Sequence, residues 1–499
     1  MKTAFRMLTL VLLIFAALVA FIPFQAAPGV STPVRAAPGL TELQLVSGIL
    51  SAFPSWVAES GQDASEFGCS LAPAGDVNAD GYGDVIVGAA RYDSTAYRSG
   101  AAFVYYGSPS GLSGTADWTA GSDQKGARLG AAVSAAGDVN CDGYDDVIVG
   151  APRYNHDQPG EGAVFVYFGS PDGLSLAPDW RYESDQNDAE LGYSVAPAGD
   201  VDQDGCADVL VGAHWYDGEN SGEGAAFLFM GSPSGLKTQP DWSAYGGQTG
   251  ASFGAAVSGA GDVNRDGYDD ILVGAPYFDA SQPDSGAVFL FFGSVDGPSL
   301  AADWTAESGQ EAALFGIAVG SAGDVNADGY ADILIGAPQF ANLQTGVGAA
   351  FAYLGSEDGP GDVPVWTAGF SQPDSAFGTA VGSAGDVNQD GYADVIVGAP
   401  HFSDDQPDEG GVAVYLGGLN GLSASPSWMG FGNKNDTWFG FAAASAGDVN
   451  RDGHSDVIVG APQYRWNELI MGRAFAYYGL AEAEVNFSIV LPFVLRTSP

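Results

Sequence analysis

The chain has 499 residues, 46% of them hydrophobic and 15% charged, which is enough apolar content for a buried core and excludes global disorder. Lys and Arg number 16 against 61 Asp and Glu; the resulting formal charge of −45 repels nucleic acid and anionic membrane surfaces and excludes both as main partners. Many carboxylates beside few bases point to cations as the ligands to look for.

From the N-terminus, Lys2 and Arg6 precede an apolar run from Met7 to Ile22, followed by Pro23, Ala26 and Ala27. This is the layout of a secretory signal peptide, placed at 1–27, and its apolar run is short for a membrane-spanning helix. Residues 28–50 read as a flexible lead-in, 51–480 as one repetitive domain, and 481–499 as an apolar tail suited to docking, sorting or packing on the body. The mature chain is therefore expected to be secreted or held at the cell surface, without a membrane span and monomeric. Cys69, Cys141 and Cys206 are too few for a disulfide framework and lack metal-site spacing; at most one pair forms, with one thiol left over.

The repetitive domain is organised by three markers. Tryptophans stand at Trp56, Trp118, Trp180, Trp242, Trp304, Trp366 and Trp428, each 62 residues from the last. Phe-Gly or Leu-Gly pairs keep the same step, from Phe67-Gly68 to Phe439-Gly440, and so does an acidic segment whose first residue runs from Asp76 to Asp448. Each unit holds four short runs of β-branched and aromatic residues separated by Gly, Pro, Asp and Ser. In the fifth unit these begin at Trp304, Phe315, Asp332 and Ala349. Seven units of four strands predict an all-β fold, a seven-bladed β-propeller. If the Trp strand is the outer strand of the preceding blade, Trp56 completes the seventh blade and clasps the ring. The rival is closure by the tail, where Val490 falls one step after Trp428.

The acidic segments read D-x-[DN]-x-D-G-x-x-D. Alternate oxygen side chains converge when a loop wraps a cation, Gly at position 6 permits the turn, and position 7 supplies a backbone carbonyl. The expected ligands are Asp76, Asn78, Asp80, Tyr82 and Asp84; Asp138, Asn140, Asp142, Tyr144 and Asp146; Asp200, Asp202, Asp204, Cys206 and Asp208; and Asp262, Asn264, Asp266, Tyr268 and Asp270. The last three loops offer Asp324, Asn326, Asp328, Tyr330 and Asp332; Asp386, Asn388, Asp390, Tyr392 and Asp394; and Asp448, Asn450, Asp452, His454 and Asp456. Hard oxygen donors select Ca²⁺ over zinc or copper, and up to seven structural ions would bring −45 to −31.

The Phe-Gly pair, this loop and the Gly-Ala-Pro of five units (Gly150-Ala151-Pro152 onward, with Ala90 and His214 in place of Pro in the other two) resemble FG-GAP repeats. The resemblance implies the propeller of integrin α subunits, where only some blades carry the loop, and ligand binding on the face opposite the Ca²⁺ loops. On that face the segments after Gly-Ala-Pro vary and carry aromatics, of which Trp215, Tyr216, Tyr277, Phe278 and Trp466 are the recognition candidates. The expected function is adhesion to or recognition of an extracellular protein or glycan. The alternatives are an extracellular phospholipase-like or polysaccharide-degrading hydrolase, whose acidic residues would line the central funnel, and a structural cell-envelope protein. No G-x-S-x-G, H-E-x-x-H or histidine cluster marks a catalytic site.

Overall fold

A computed structural model describes residues 49–341 and 346–480. The signal peptide, most of the lead-in, the tail and Val490 lie outside the described residues. Seven four-stranded antiparallel sheets form the blades of a β-propeller. The first blade contains Phe67–Gly75, Asp84–Ala89, Ala101–Tyr105 and Trp118–Gly121. The Trp run thus serves as the fourth strand of the blade that precedes its own Phe-Gly pair.

The sequence of each strand matches its layer. The second strands, such as Asp332–Ala337 (DILIGA), are buried along their whole length, as are most third strands, because both sheet faces meet neighbouring blades. The fourth strands alternate, as in the buried–exposed–buried pattern of Trp56–Ala58. The core lies between blades. Ile86, Val104 and Trp118 of the first blade pack with Val147, Val149, Phe165 and Tyr167 of the second. The Phe of the Phe-Gly pair is fully buried at Phe67, Phe253, Phe315, Phe377 and Phe439, and Phe315 meets Phe351 with ring centroids 5.5 Å apart.

Tryptophan couples successive blades. Trp304 sits edge-on to Tyr353 of the next blade with centroids 5.1 Å apart. The Trp118 indole N–H donates to Ser175 O at 2.8 Å, and Trp366 to Ser423 O at 2.9 Å, both in the next blade. The ring closes in the same way. Trp56–Ala58 pairs with Arg473–Tyr477 as the outer strand of the seventh blade, and Trp56 Nε1 donates to Ser113 O of the first blade at 2.8 Å. Leu50, buried, bridges Gly479 beside this edge.

A chain starting at residue 61 leaves the Arg473–Tyr477 edge unpaired. It is expected to melt at a lower temperature than the full chain and to self-associate, by calorimetry and size-exclusion chromatography. An unchanged melt and elution would show that the clasp contributes nothing.

Candidate metal centres and the opposite face

In each blade the first strand shifts register just before its last glycine, as between Ser321 and Gly323, and this bulge delivers the chain into the acidic loop. In the fifth loop Asp324 accepts from the Asp328 amide at Oδ1 (3.1 Å) and from the Gly329 amide at Oδ2 (2.8 Å). Asn326 Oδ1 accepts from Asp328 N at 3.0 Å, and Asp328 Oδ1 from Tyr330 N at 3.1 Å. Gly329 has φ of 92°, the left-handed turn for which position 6 requires glycine. The first loop repeats the pattern with Asp76, Asn78 and Asp80, and the seventh with Asp448, Asn450 and Asp452.

The ninth residue closes the loop. Asp332 Oδ2 accepts from Val325 N at 2.9 Å and Oδ1 from Gly355 N at 2.9 Å, so the carboxylate ties its own loop to the turn after the third strand. The corresponding Asp84, Asp146, Asp208, Asp270, Asp394 and Asp456 are likewise fully buried. Burial pushes these carboxyls up to about 7, against the opposing effect of two amide hydrogen bonds each.

Among the described residues one group of three carboxylates lies close enough together to share a cation, and it is in the third loop. There Asp200, Asp202 and Asp208 each offer an oxygen within 4.8 Å of the others. This loop has Asp at position 3, where the other six have Asn, so it gathers one more carboxylate. The donors are hard oxygens in an Asx-rich turn, a set that fits an oxygen-seeking divalent cation.

The side chains at position 7 make contacts of their own. The Cys206 sulfur is bonded to Cys141, at position 4 of the preceding loop. The Arg265 guanidinium lies 5.8 Å from the Tyr330 ring centroid, and Arg451 lies 6.0 Å from Tyr82 across the ring closure. Gln203 donates to Gly267 O of the fourth loop. His454 Nδ1 lies 3.3 Å from Val387 O of the preceding loop. Position 4 thus reaches position 6 or 7 of the next loop at Cys141, Gln203, Arg265 and Arg451. This coupling was not read from the sequence, although Cys141 and Cys206 are 65 residues apart, one repeat plus three. The third cysteine, Cys69, remains a half-buried thiol on the wall of the axial cavity, and desolvation pushes its pKa up to about 11.

The opposite face is built from the segments after Gly-Ala-Pro and after each Trp strand, joined by bonds such as Gln310 Nε2 to Ala341 O at 3.1 Å. The candidates divide here. Tyr216 packs on Phe227 and Phe278 on Phe289, both at 5.5 Å, so these half-buried rings fill the rim. Trp215, Tyr277 and Trp466 are exposed by 46%, 43% and 44%. Trp466 sits on a two-stranded hairpin, Arg465–Trp466 with Leu469–Ile470, and Lys434 and Arg473 approach its ring to 4.7 and 4.8 Å. On the axis the seven first strands enclose a cavity of about 260 Å³ lined by Ala, Ser and Val, with Cys69, Tyr193 and Phe441 among them. No carboxylate is among its described lining residues.

A profile of the FG-GAP repeat matches residues 67–105, 129–167, 191–229, 253–291, 315–354, 377–415 and 439–477, more than half of the chain. The chain belongs to the FG-GAP repeat family. Integrin alpha-5 of Xenopus laevis is 33% identical over 231 residues, 44% of this chain and 20% of that protein. Integrin alpha-6 of Homo sapiens is 35% identical over 206 residues, 41% of this chain and 17% of that protein. Integrin alpha-3 of Cricetulus griseus is 32% identical over 259 residues, 47% of this chain and 23% of that protein. The chain thus matches about a fifth of the length of these curated relatives. Among the described residues no helix is long and apolar enough to cross a membrane.

Two predictions concern the loops. Asp332→Ala strands the Val325 and Gly355 amides at a cost of ~1–3 kcal/mol each. Its melting midpoint is expected to fall in chelator as well as in Ca²⁺, and a midpoint unchanged in chelator would leave the carboxylate no role apart from metal. Non-reducing peptide mapping should recover Cys141 linked to Cys206, with Cys69 as the free thiol. Cys141→Ser with Cys206→Ser should lower stability by up to about 4 kcal/mol on the loop-entropy estimate.

Proposed function

We propose that this protein is an extracellular Ca²⁺-binding propeller that recognises a protein or glycan ligand on the face opposite its acidic loops. One observation carries the reading: the acidic loops repeat almost unchanged through seven blades, whereas exposed Trp215, Tyr277 and Trp466 break the repeat on the other face. A rigid scaffold with variable aromatic loops suits recognition, because large rings bury much area at little entropic cost.

Ca²⁺ would be held by the carboxylates at positions 1, 5 and 9, the Asn or Asp at position 3 and the backbone carbonyl at position 7. Its role is structural. A cation offsets the cost of burying seven carboxyls and the repulsion among their neighbours at positions 1 and 5. Similarity to integrin α chains supports an extracellular ligand, and the expected export of the chain agrees with it. The hydrolase alternative needs paired acids at the axis, and the described cavity lining supplies none.

Ca²⁺ binding is tested by melting with and without chelator. At a hundredfold excess over Kd each site adds ~2.7 kcal/mol, so EDTA should lower the midpoint steeply; an unchanged midpoint would refute the structural ions. Recognition is tested by probing glycan and matrix-protein arrays with residues 28–499, with Ca²⁺ and with chelator. A Ca²⁺-dependent hit that Trp215→Ala or Trp466→Ala weakens supports the reading, and no hit in either condition counts against it.

A further inference from the structure

The Cys141–Cys206 disulfide joins two acidic loops at points where each loop supplies cation ligands. Cys141 stands at position 4 of the second loop, between the expected ligands Asn140 and Asp142. It holds a left-handed φ of 57°, and Asp142 N donates across it to Asn140 Oδ1 at 3.0 Å. Cys206 stands at position 7 of the third loop, where the backbone carbonyl is the expected ligand. It is buried, and its amide donates to Asp204 Oδ1 at 2.9 Å. The bond thus holds the two ligand-bearing segments with their Cα atoms 5.2 Å apart.

Two features set the third loop apart from the other six. Its position 3 is Asp202, so Asp200, Asp202, Asp204 and Asp208 give it a carboxylate at all four side-chain positions. Among the described residues it alone gathers three such groups within 4.8 Å of one another. The loop is also tied on its far side. Asp269 of the fourth loop accepts the Asp200 amide at Oδ2 (2.9 Å), and Gln203 donates to Gly267 O. Held between two neighbours, by a covalent bond on one side, the loop has little room to spread and relieve the repulsion among its carboxylates.

We propose that the Cys141–Cys206 bond positions the third loop as the tightest Ca²⁺ site of the propeller. This rests on the Ca²⁺ reading and ranks its sites. The affinity of an oxygen-lined loop is set by its ligand charge and its rigidity, and the third loop combines the highest charge with a covalent tether. The bond keeps the empty loop near its occupied spacing, so less ordering is lost when the ion enters. Neither sulfur needs to touch the ion; the two cysteines are positioning residues. The coupling is reciprocal, because whatever factor the bond adds to Ca²⁺ affinity, Ca²⁺ adds to the stability of the bond.

The first test uses the protein unaltered, in buffers of reduced and oxidised dithiothreitol. The dithiol gives two electrons and two protons to the bond, leaving two protein thiols and its own cyclic disulfide. Relative to NaCl of equal ionic strength, saturating Ca²⁺ should lower the potential of the Cys141–Cys206 pair by about 30 mV for a tenfold coupling, read by alkylation of the two thiols. The second test is Ca²⁺ titration against a chromophoric chelator, which should resolve one site about tenfold tighter than the rest. Asp202→Asn should remove that step. Cys141→Ser with Cys206→Ser should weaken it about tenfold and leave the weaker sites unchanged. Asn326→Asp, which gives the unbridged fifth loop the same four carboxylates, should not create a second site as tight. Ca²⁺ binding with a potential that Ca²⁺ does not shift, or with a tight step that survives either change or is matched by Asn326→Asp, overturns the proposal and leaves the Ca²⁺ reading intact. No Ca²⁺ binding at all overturns both.

Discussion

The propeller depends on a contact between glycine backbones at the inner edge of every blade interface. The Phe-Gly glycine donates to the carbonyl of the Gly-Ala-Pro glycine in its own blade, as Gly316 N does to Gly336 O at 3.0 Å. The Gly336 Cα in turn faces the Gly378 carbonyl of the next blade, so that a Cβ there would collide with that backbone carbonyl. The same approach closes the ring, with Gly460 against Gly68. Because backbone is the partner, no side-chain rotamer can relieve the clash, and the inner spacing is fixed at its minimum. Further out the gap widens, and it is filled by progressively larger groups: valine and isoleucine of the second strands, then Phe, Tyr and Trp. The two glycine-bearing motifs that define the repeat are therefore the narrow end of a wedge, and the tryptophan is its wide end.

This geometry fixes where polar chemistry can stand. The second strand is fully buried, yet it begins with an aspartate whose two oxygens take one amide from its own loop and one from the turn after the third strand. That carboxylate is a hinge pin between loop and blade before any cation is considered, and its burial makes its charge expensive. Neighbouring loops are then linked through position 4, with a disulfide between the second and third, Arg265 on Tyr330 between the fourth and fifth, and Arg451 on Tyr82 across the closure. Backbone bonds complete the ring where position 4 is alanine, Asp145 N donating to Asp76 O and Ala393 N to Asp324 O, so the acidic loops form a continuous ring of coupled turns.

The strand count and the closure by Trp56 were legible because each is a property of one repeat copied at a fixed step. What sequence reading could not supply lies between repeats. The Cys141–Cys206 pairing depends on which residue of one loop faces which residue of the next, an offset that exists only once blades are set side by side. The aromatic after Gly-Ala-Pro posed a subtler problem. Trp215 and Tyr216 are adjacent in sequence and similar in chemistry, but only Tyr216 meets the third-strand Phe227, while Trp215 points out. Alternation along an extended segment decides between them, and its phase is set by the register of the preceding strand.

The distribution of these constraints separates stability from specificity. Every position that holds the ring together, whether glycine contact, buried aspartate or tryptophan, is used in nearly every blade, so a change there is felt at a blade interface. The residues just before the Phe-Gly or Leu-Gly pairs share a backbone requirement only: Glu66, Arg128, Glu190, Ser252, Leu314, Ala376 and Trp438 all hold a left-handed φ of 53–59°, yet carry acid, base, hydroxyl, aliphatic and aromatic side chains. Except at Ser252, which is buried, these side chains are only half-buried, so packing leaves their chemistry open. Where the first three blades nonetheless bring guanidinium, carboxylate and stacked rings together, the scaffold supplies only the positions, and the chemistry assembled there is free to answer to a ligand.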